Sequence, residues 1–107
     1  MNHIMTAVFA AAAFAIVAGA ATAQEMGDAK RGHLLAETVC SECHAIDKGA
    51  PRSRNGDAPT FESLANTRGM TPMAVRVALR TSHEKMPNLI LKNQEVDDII
   101  AYLSTLK

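Results

Sequence analysis

The chain is 107 residues long, and its only two cysteines sit in the run Val-Cys-Ser-Glu-Cys-His-Ala-Ile, where Cys40 and Cys43 lead directly into His44. Two thiols and an imidazole packed this tightly suit four chemistries. A disulfide between them would close a very small ring, and the stabilisation a crosslink gives grows with the loop it closes. A thioredoxin-like redox pair belongs beside a strand–helix–strand pattern, and none is visible in this sequence. Zinc takes four protein ligands, or three and a water. His83 is a conceivable third ligand, but a second pair at ligand spacing is absent and His44 is badly placed to join the same tetrahedron. The fourth chemistry uses all three residues: Cys-x-x-Cys-His is the attachment pattern of a c-type haem. The thiols of Cys40 and Cys43 add across the two porphyrin vinyl groups as thioethers, and His44, held beneath the ring, offers a ring nitrogen to the iron.

The second axial position decides what such a site does. An open position binds small ligands, whereas a strong protein ligand leaves the iron able only to exchange electrons. From residue 24 onward the methionines are Met26, Met70, Met73 and Met86. Met26 is too near the start of the domain. Met70 precedes a helix cap and Met73 lies in the following first turn, so both are expected to pack. Met86 lies in a loop stiffened by Pro87 and is the expected ligand, with His83 its main rival. His33 is expected on the solvent side of its helix.

These residues need elements to hold them. Asp28 is a plausible N-cap for a helix over 28–39, and Leu34, Leu35 and Val39 give it a partial apolar stripe. Residues 47–59 are rich in Gly, Pro, Asn, Asp and Ser and read as loop. Residues 60–66 allow a helical turn or two. Thr71 followed by Pro72 is a strong helix start, and that helix runs to about Thr81. Pro87 disfavours helix at Met86, so the segment around it is extended or irregular. Asn93 is expected to cap a last helix from Gln94 to about Leu106, with Val96, Ile99, Ile100 and Leu103 on its apolar face. The fold class is all-α, three main helices joined by long loops.

Composition agrees with a bulky non-peptide group in the core. The chain has no Trp, one Tyr and three Phe, and two of the Phe (Phe9 and Phe14) fall in the apolar run 7–21. Small domains bury little surface and usually need a staple, which a haem supplies. The apolar run ends in Ala21-Thr22-Ala23, the pattern of a secretory signal cleaved after Ala23. It is short for a spanning helix, so no permanent membrane anchor is expected. The expected organisation is a signal over 1–23 and one domain over 24–107, in the periplasm. The eleven acidic and eleven basic residues balance to zero net charge, which gives no argument for nucleic acid. No acidic residue lies between Glu62 and Glu84, a stretch that holds Arg68, Arg76 and Arg80, so this region is a candidate basic docking rim.

With these residues in view, the chain resembles the class I cytochromes c. Gly-Asp-Ala-Lys-Arg-Gly through Cys-Ser-Glu-Cys-His is similar to that family's N-terminal helix and haem motif. Lys-Met-Pro-Asn is similar to its axial-methionine loop, and Ile-Ile-Ala-Tyr-Leu-Ser-Thr-Leu to its C-terminal helix. The resemblance implies a cytochrome c-like fold around one covalent haem c, with His44 and Met86 as iron ligands. It also implies that the terminal helices cross at Gly32 against Tyr102, and that a proline carbonyl accepts the second N–H of His44. Pro59 is the best candidate for that acceptor and Pro51 the next. The chain departs from the family pattern at Ala36, where an aromatic is often found, and in having no Trp for a haem propionate; Arg52, Arg54 or Arg68 are left as candidates for that contact. The implied function is a monohaem one-electron carrier, not an enzyme, that docks transiently with a redox donor and acceptor at the haem edge. The alternatives are a haem subunit of a dehydrogenase or oxidase complex, or a ligand-binding protein with a labile sixth position.

Overall fold

The computed structural model describes residues 26–83 and 85–107; the expected signal segment 1–23 and its cleavage point lie outside them. Helix α1, Ala29–Leu35, starts where the Asp28 side chain accepts the N–H of Arg31, and it passes without a break into a π-helical turn over Ala36–Cys40. Helix α2, Phe61–Asn66, is capped by the Thr60 hydroxyl, and α3, Pro72–Arg80, by that of Thr71, with Pro72 in its first turn. Helix α4 spans Asn93–Ser104. Its start differs by one residue from expectation. Asn93 is inside the helix and Lys92 is the cap, because the Glu95 side chain reaches back to accept the Lys92 N–H at 2.7 Å. Asn93 instead accepts a hydrogen bond from Arg80. Among the described residues there is no strand beyond one isolated bridge, His83 to Met86, and no helix long and apolar enough to cross a membrane.

The most extensive helix contact is between α1 and α4. It is possible only because Gly32 lacks a side chain. A Cβ there would lie 2.0 Å from the Asp98 carbonyl oxygen and 2.9 Å from the Tyr102 Cβ. Gly27 meets α4 equally closely, at the Asp97 carbonyl. Tyr102 packs at this crossing, and its hydroxyl donates to the Ile46 carbonyl at 2.7 Å, tying α4 to the chain just past His44. Burial, with the charges of Asp47 and Glu37 behind it, pushes the Tyr102 phenol upward, so it remains a donor. His33 is half-buried rather than exposed: its ring packs edge-on to Tyr102 and its Nε2 lies 3.0 Å from Asp47 Oδ1.

The crossing has a polar lock. Asp98 is 4% exposed. Its carboxylate accepts from Arg31 Nε at 2.9 Å, the Asp28 backbone N–H at 2.7 Å and Gln94 Nε2 at 3.1 Å. The Arg31 hydrogen bonds, together with the backbone donor, outweigh the burial penalty and hold the Asp98 carboxyl at about 2. A folded-state value below the unfolded one makes the native state the poorer proton binder. The stabilisation is therefore complete above pH ~4 and fades as pH falls through about 2. The shift corresponds to roughly 2 kcal/mol. Asp98→Asn is expected to cost about that much at pH 7 in denaturant unfolding. The gap from wild type should narrow as the titration approaches pH 2; a gap independent of pH would contradict this role.

Candidate functional site

The haem motif continues the helix that precedes it. In the π turn the Ser41 N–H donates to the Ala36 carbonyl, five residues back. The chain then makes one more helical turn, with the Cys43 and His44 N–H groups both donating to the Cys40 carbonyl at 3.2 and 2.9 Å. Cys40, Cys43 and His44 thus stand at i, i+3 and i+4, which share one face of a helical turn. π turns inside helices recur at functional sites, and this one ends on Cys40, the first of the reactive residues.

That face looks into a cavity of about 640 Å³, well within the size of small-molecule and cofactor sites. Cys40, Cys43, His44, Pro59, Met86 and His83 all line it. Its remaining wall is largely apolar, with Leu35, Leu64, Val75, Leu79 and Leu103 among the side chains that form it. If nothing filled it, these apolar side chains would face water instead of packing, which works against folding. A large, flat, mainly apolar group anchored at Cys40 and Cys43 fits this wall.

His44 is held from several directions. Its Nδ1 lies 2.6 Å from the Pro59 carbonyl oxygen. Donation from Nδ1 fixes the tautomer that leaves Nε2 as a lone-pair donor toward the cavity. Phe61 packs edge-on to the imidazole at 5.6 Å. The next residue, Ala45, is bonded at both backbone groups. Its N–H donates to the buried Ser53 hydroxyl at 3.0 Å, and its carbonyl accepts from Phe61 N–H at 2.9 Å. The Asn55 N–H donates to the Cys43 carbonyl. Periodicity did not reveal Ser53, which lies in a loop of polar and turn-forming residues; nothing in the sequence separates it from its exposed neighbours.

Cys40 and Cys43 are not joined to each other in a disulfide, and burial pushes the Cys40 thiol up to about 11. A redox pair or zinc site needs a thiolate that is easily formed. At Cys40 burial works against that form.

Elsewhere the placements are mixed. Met70 packs against the core and lines the cavity. Met73, expected to pack, is 65% exposed, because α3 turns Val75, Ala78 and Leu79 inward instead. Pro51 and the arginines 52, 54 and 68 are not in the cavity wall; its one Lys or Arg among the described residues is Lys85, whose Nζ lies 2.8 Å from Asp57 Oδ2. The basic rim is also thinner than the sequence suggested, because Arg76 is ion-paired with Asp97 of α4.

The family model for Cytochrome c matches residues 29–107. No curated protein and no solved structure matches the chain.

Removing the Ser53 hydroxyl should expose the importance of this clamp. Ser53→Ala leaves the Ala45 N–H without its partner, and the haem-loaded protein should lose about 1–2 kcal/mol. The check is a lower denaturant midpoint at unchanged slope; an unmoved midpoint would show that the hydroxyl does not support the His44 backbone.

Proposed function

The chain belongs to the cytochrome c family and so carries a haem c attached through Cys40 and Cys43, and from that premise we propose that it is a periplasmic one-electron carrier with His44 and Met86 as the iron ligands. When bound, the haem iron supplies the chemistry, a reversible one-electron change between ferric and ferrous. The observation that carries the proposal is that His44 and Met86 line one cavity together with both cysteines. The chain's part is to keep this arrangement constant through the electron's arrival and departure. His44 is oriented by the Pro59 carbonyl, and the Met86 N–H is bonded to the His83 carbonyl at 3.1 Å. With His44 and Met86 both holding the iron, the protein would leave no place on it for an exogenous ligand. We read it as a carrier, not an enzyme, as the family is generally.

Export is supported by the apolar, charge-free segment ending in Ala21-Thr22-Ala23. Donor and acceptor proteins would meet the domain at the cavity mouth, where Lys85 and Asp57 lie, through the small interfaces usual for redox encounters. A second reading, a subunit held in a larger redox complex, draws on the exposed Met73 and Val77 of α3 and on Ile90, which is fully exposed. Gel filtration of the native protein separates the two. The carrier elutes as a small monomer, the subunit with its partner.

The axial assignment has a direct test. The ferric holoprotein should show a weak sulfur-to-iron charge-transfer band in the red, and Met86→Ala should abolish it. The same variant should lower the reduction potential by on the order of 0.1 V, because thioether ligation raises the potential and axial ligands span about 0.8 V. A band that survives in Met86→Ala would remove Met86 from the site.

A further inference from the structure

The distal loop holds a second group able to bind iron. His83 and Met86 are directly paired in an antiparallel bridge. Residues paired in this way send their side chains to the same face, with Cβ atoms about 5 Å apart. Both line the cavity. The His83 ring is also oriented as the His44 ring is. Its Nδ1 lies 3.3 Å from the Thr81 carbonyl oxygen, as His44 Nδ1 lies 2.6 Å from that of Pro59. In each ring a proton on Nδ1 faces a backbone carbonyl and leaves Nε2 with its lone pair. Donation to a carbonyl or carboxylate is what usually fixes a ligating histidine. The contact at Thr81 is the longer and weaker of the two, so His83 keeps more freedom to turn.

We propose that His83 Nε2 is a reserve iron ligand, which takes the sixth position when the Met86 sulfur is not available. The proposal rests on the reading of Met86 as the resting ligand. The exchange moves no proton and no electron: one sulfur–iron bond is lost, and one nitrogen–iron bond forms from the neutral imidazole. The distal loop then never leaves the iron open. Loss of the thioether converts the protein to a lower-potential form, since two imidazoles favour the ferric state relative to His/Met, and does not make it a ligand-binding one.

The test uses the covalently loaded holoprotein in wild type, His83→Ala, Met86→Ala, Met86→Leu and the double variant Met86→Ala/His83→Ala. Met86→Leu keeps the side-chain volume, which guards against a packing failure. The readouts are the ferric spin state by absorption and electron paramagnetic resonance, and the affinity for added imidazole. The proposal expects Met86→Ala and Met86→Leu to be low-spin without the sulfur band, and the double variant to be high-spin. The double variant should bind imidazole about tenfold or more tightly than Met86→Ala, since an internal ligand occupying nine-tenths of the iron costs an external one that factor. His83→Ala alone should keep the band and stay low-spin. High-spin iron in both Met86 variants, or low-spin iron in the double variant, would overturn the reserve role while leaving Met86 as the resting ligand. A wild type without the sulfur band, or a His83→Ala variant that changes spin state, would instead overturn the Met86 assignment and the proposal with it.

Discussion

At Gly32 the backbone of α1 runs so close to α4 that a single Cβ would overlap the Asp98 carbonyl. Most of the site hangs from that contact. The approach places Tyr102 beneath α1, and the Tyr102 hydroxyl reaches across to Ile46. It also brings the Asp98 carboxylate within reach of the Asp28 N–H and Arg31 at the start of α1. Held at its start by Asp98 and at its middle by the glycine contact, α1 can project its C-terminal end in one direction only. That end is the π turn and the residues Cys40, Cys43 and His44.

The rest of the wall follows from what this anchored helix leaves uncovered. A domain with two aromatic side chains cannot close its own core, and α2, α3 and α4 leave a mainly apolar cavity facing the cysteines. The haem is therefore a structural member as well as the redox group. Burial of a macrocycle in this wall removes water from the iron's surroundings, and burial and axial ligation are the levers by which the protein sets a potential. Folding and electron transfer thus draw on the same surface, and the apolar side chains that stabilise the holoprotein are those that tune it.

Much of this was legible in the sequence, and the residues show why. The Cys-x-x-Cys-His spacing carries covalent chemistry that few other uses satisfy, and Thr71-Pro72 and the apolar spacing along α4 are local signals. The acidic residues near the C-terminus were not legible. No local signal in the sequence separates Glu95, Asp97 and Asp98 from ordinary surface charges. In the fold Glu95 caps α4, Asp97 pairs with Arg76, and Asp98 is buried. Each of these roles is set by a partner distant in sequence or by the local geometry of a helix end, and periodicity reports neither. Ala36, a departure from the family's aromatic, is completely buried. The same limit applies to the basic stretch. Arg76 looked like a rim charge because Asp97 is remote in sequence, although the two meet where α3 and α4 touch.

The two sides of the iron site differ in how they are held, and this bears on function. The His44 side is a continuation of a helix, with the ring bonded to Pro59, Ala45 bonded at both backbone groups and Cys43 bonded to Asn55. Two covalent thioethers add to that. The Met86 side is a loop. Among the described residues it is joined by the His83–Met86 bridge, by a Ser82–Asn88 side-chain hydrogen bond and by the Lys85–Asp57 pair, whose side chains are 80% and 69% exposed. Exposed pairs of this kind contribute about 0–1 kcal/mol, so they guide the loop more than they fix it. Segments with few buried contacts open at lower free energy than the global fold. On the proposed ligation by His44 and Met86, motion in this site should therefore begin in the loop that carries Met86 and His83 while His44 stays in place.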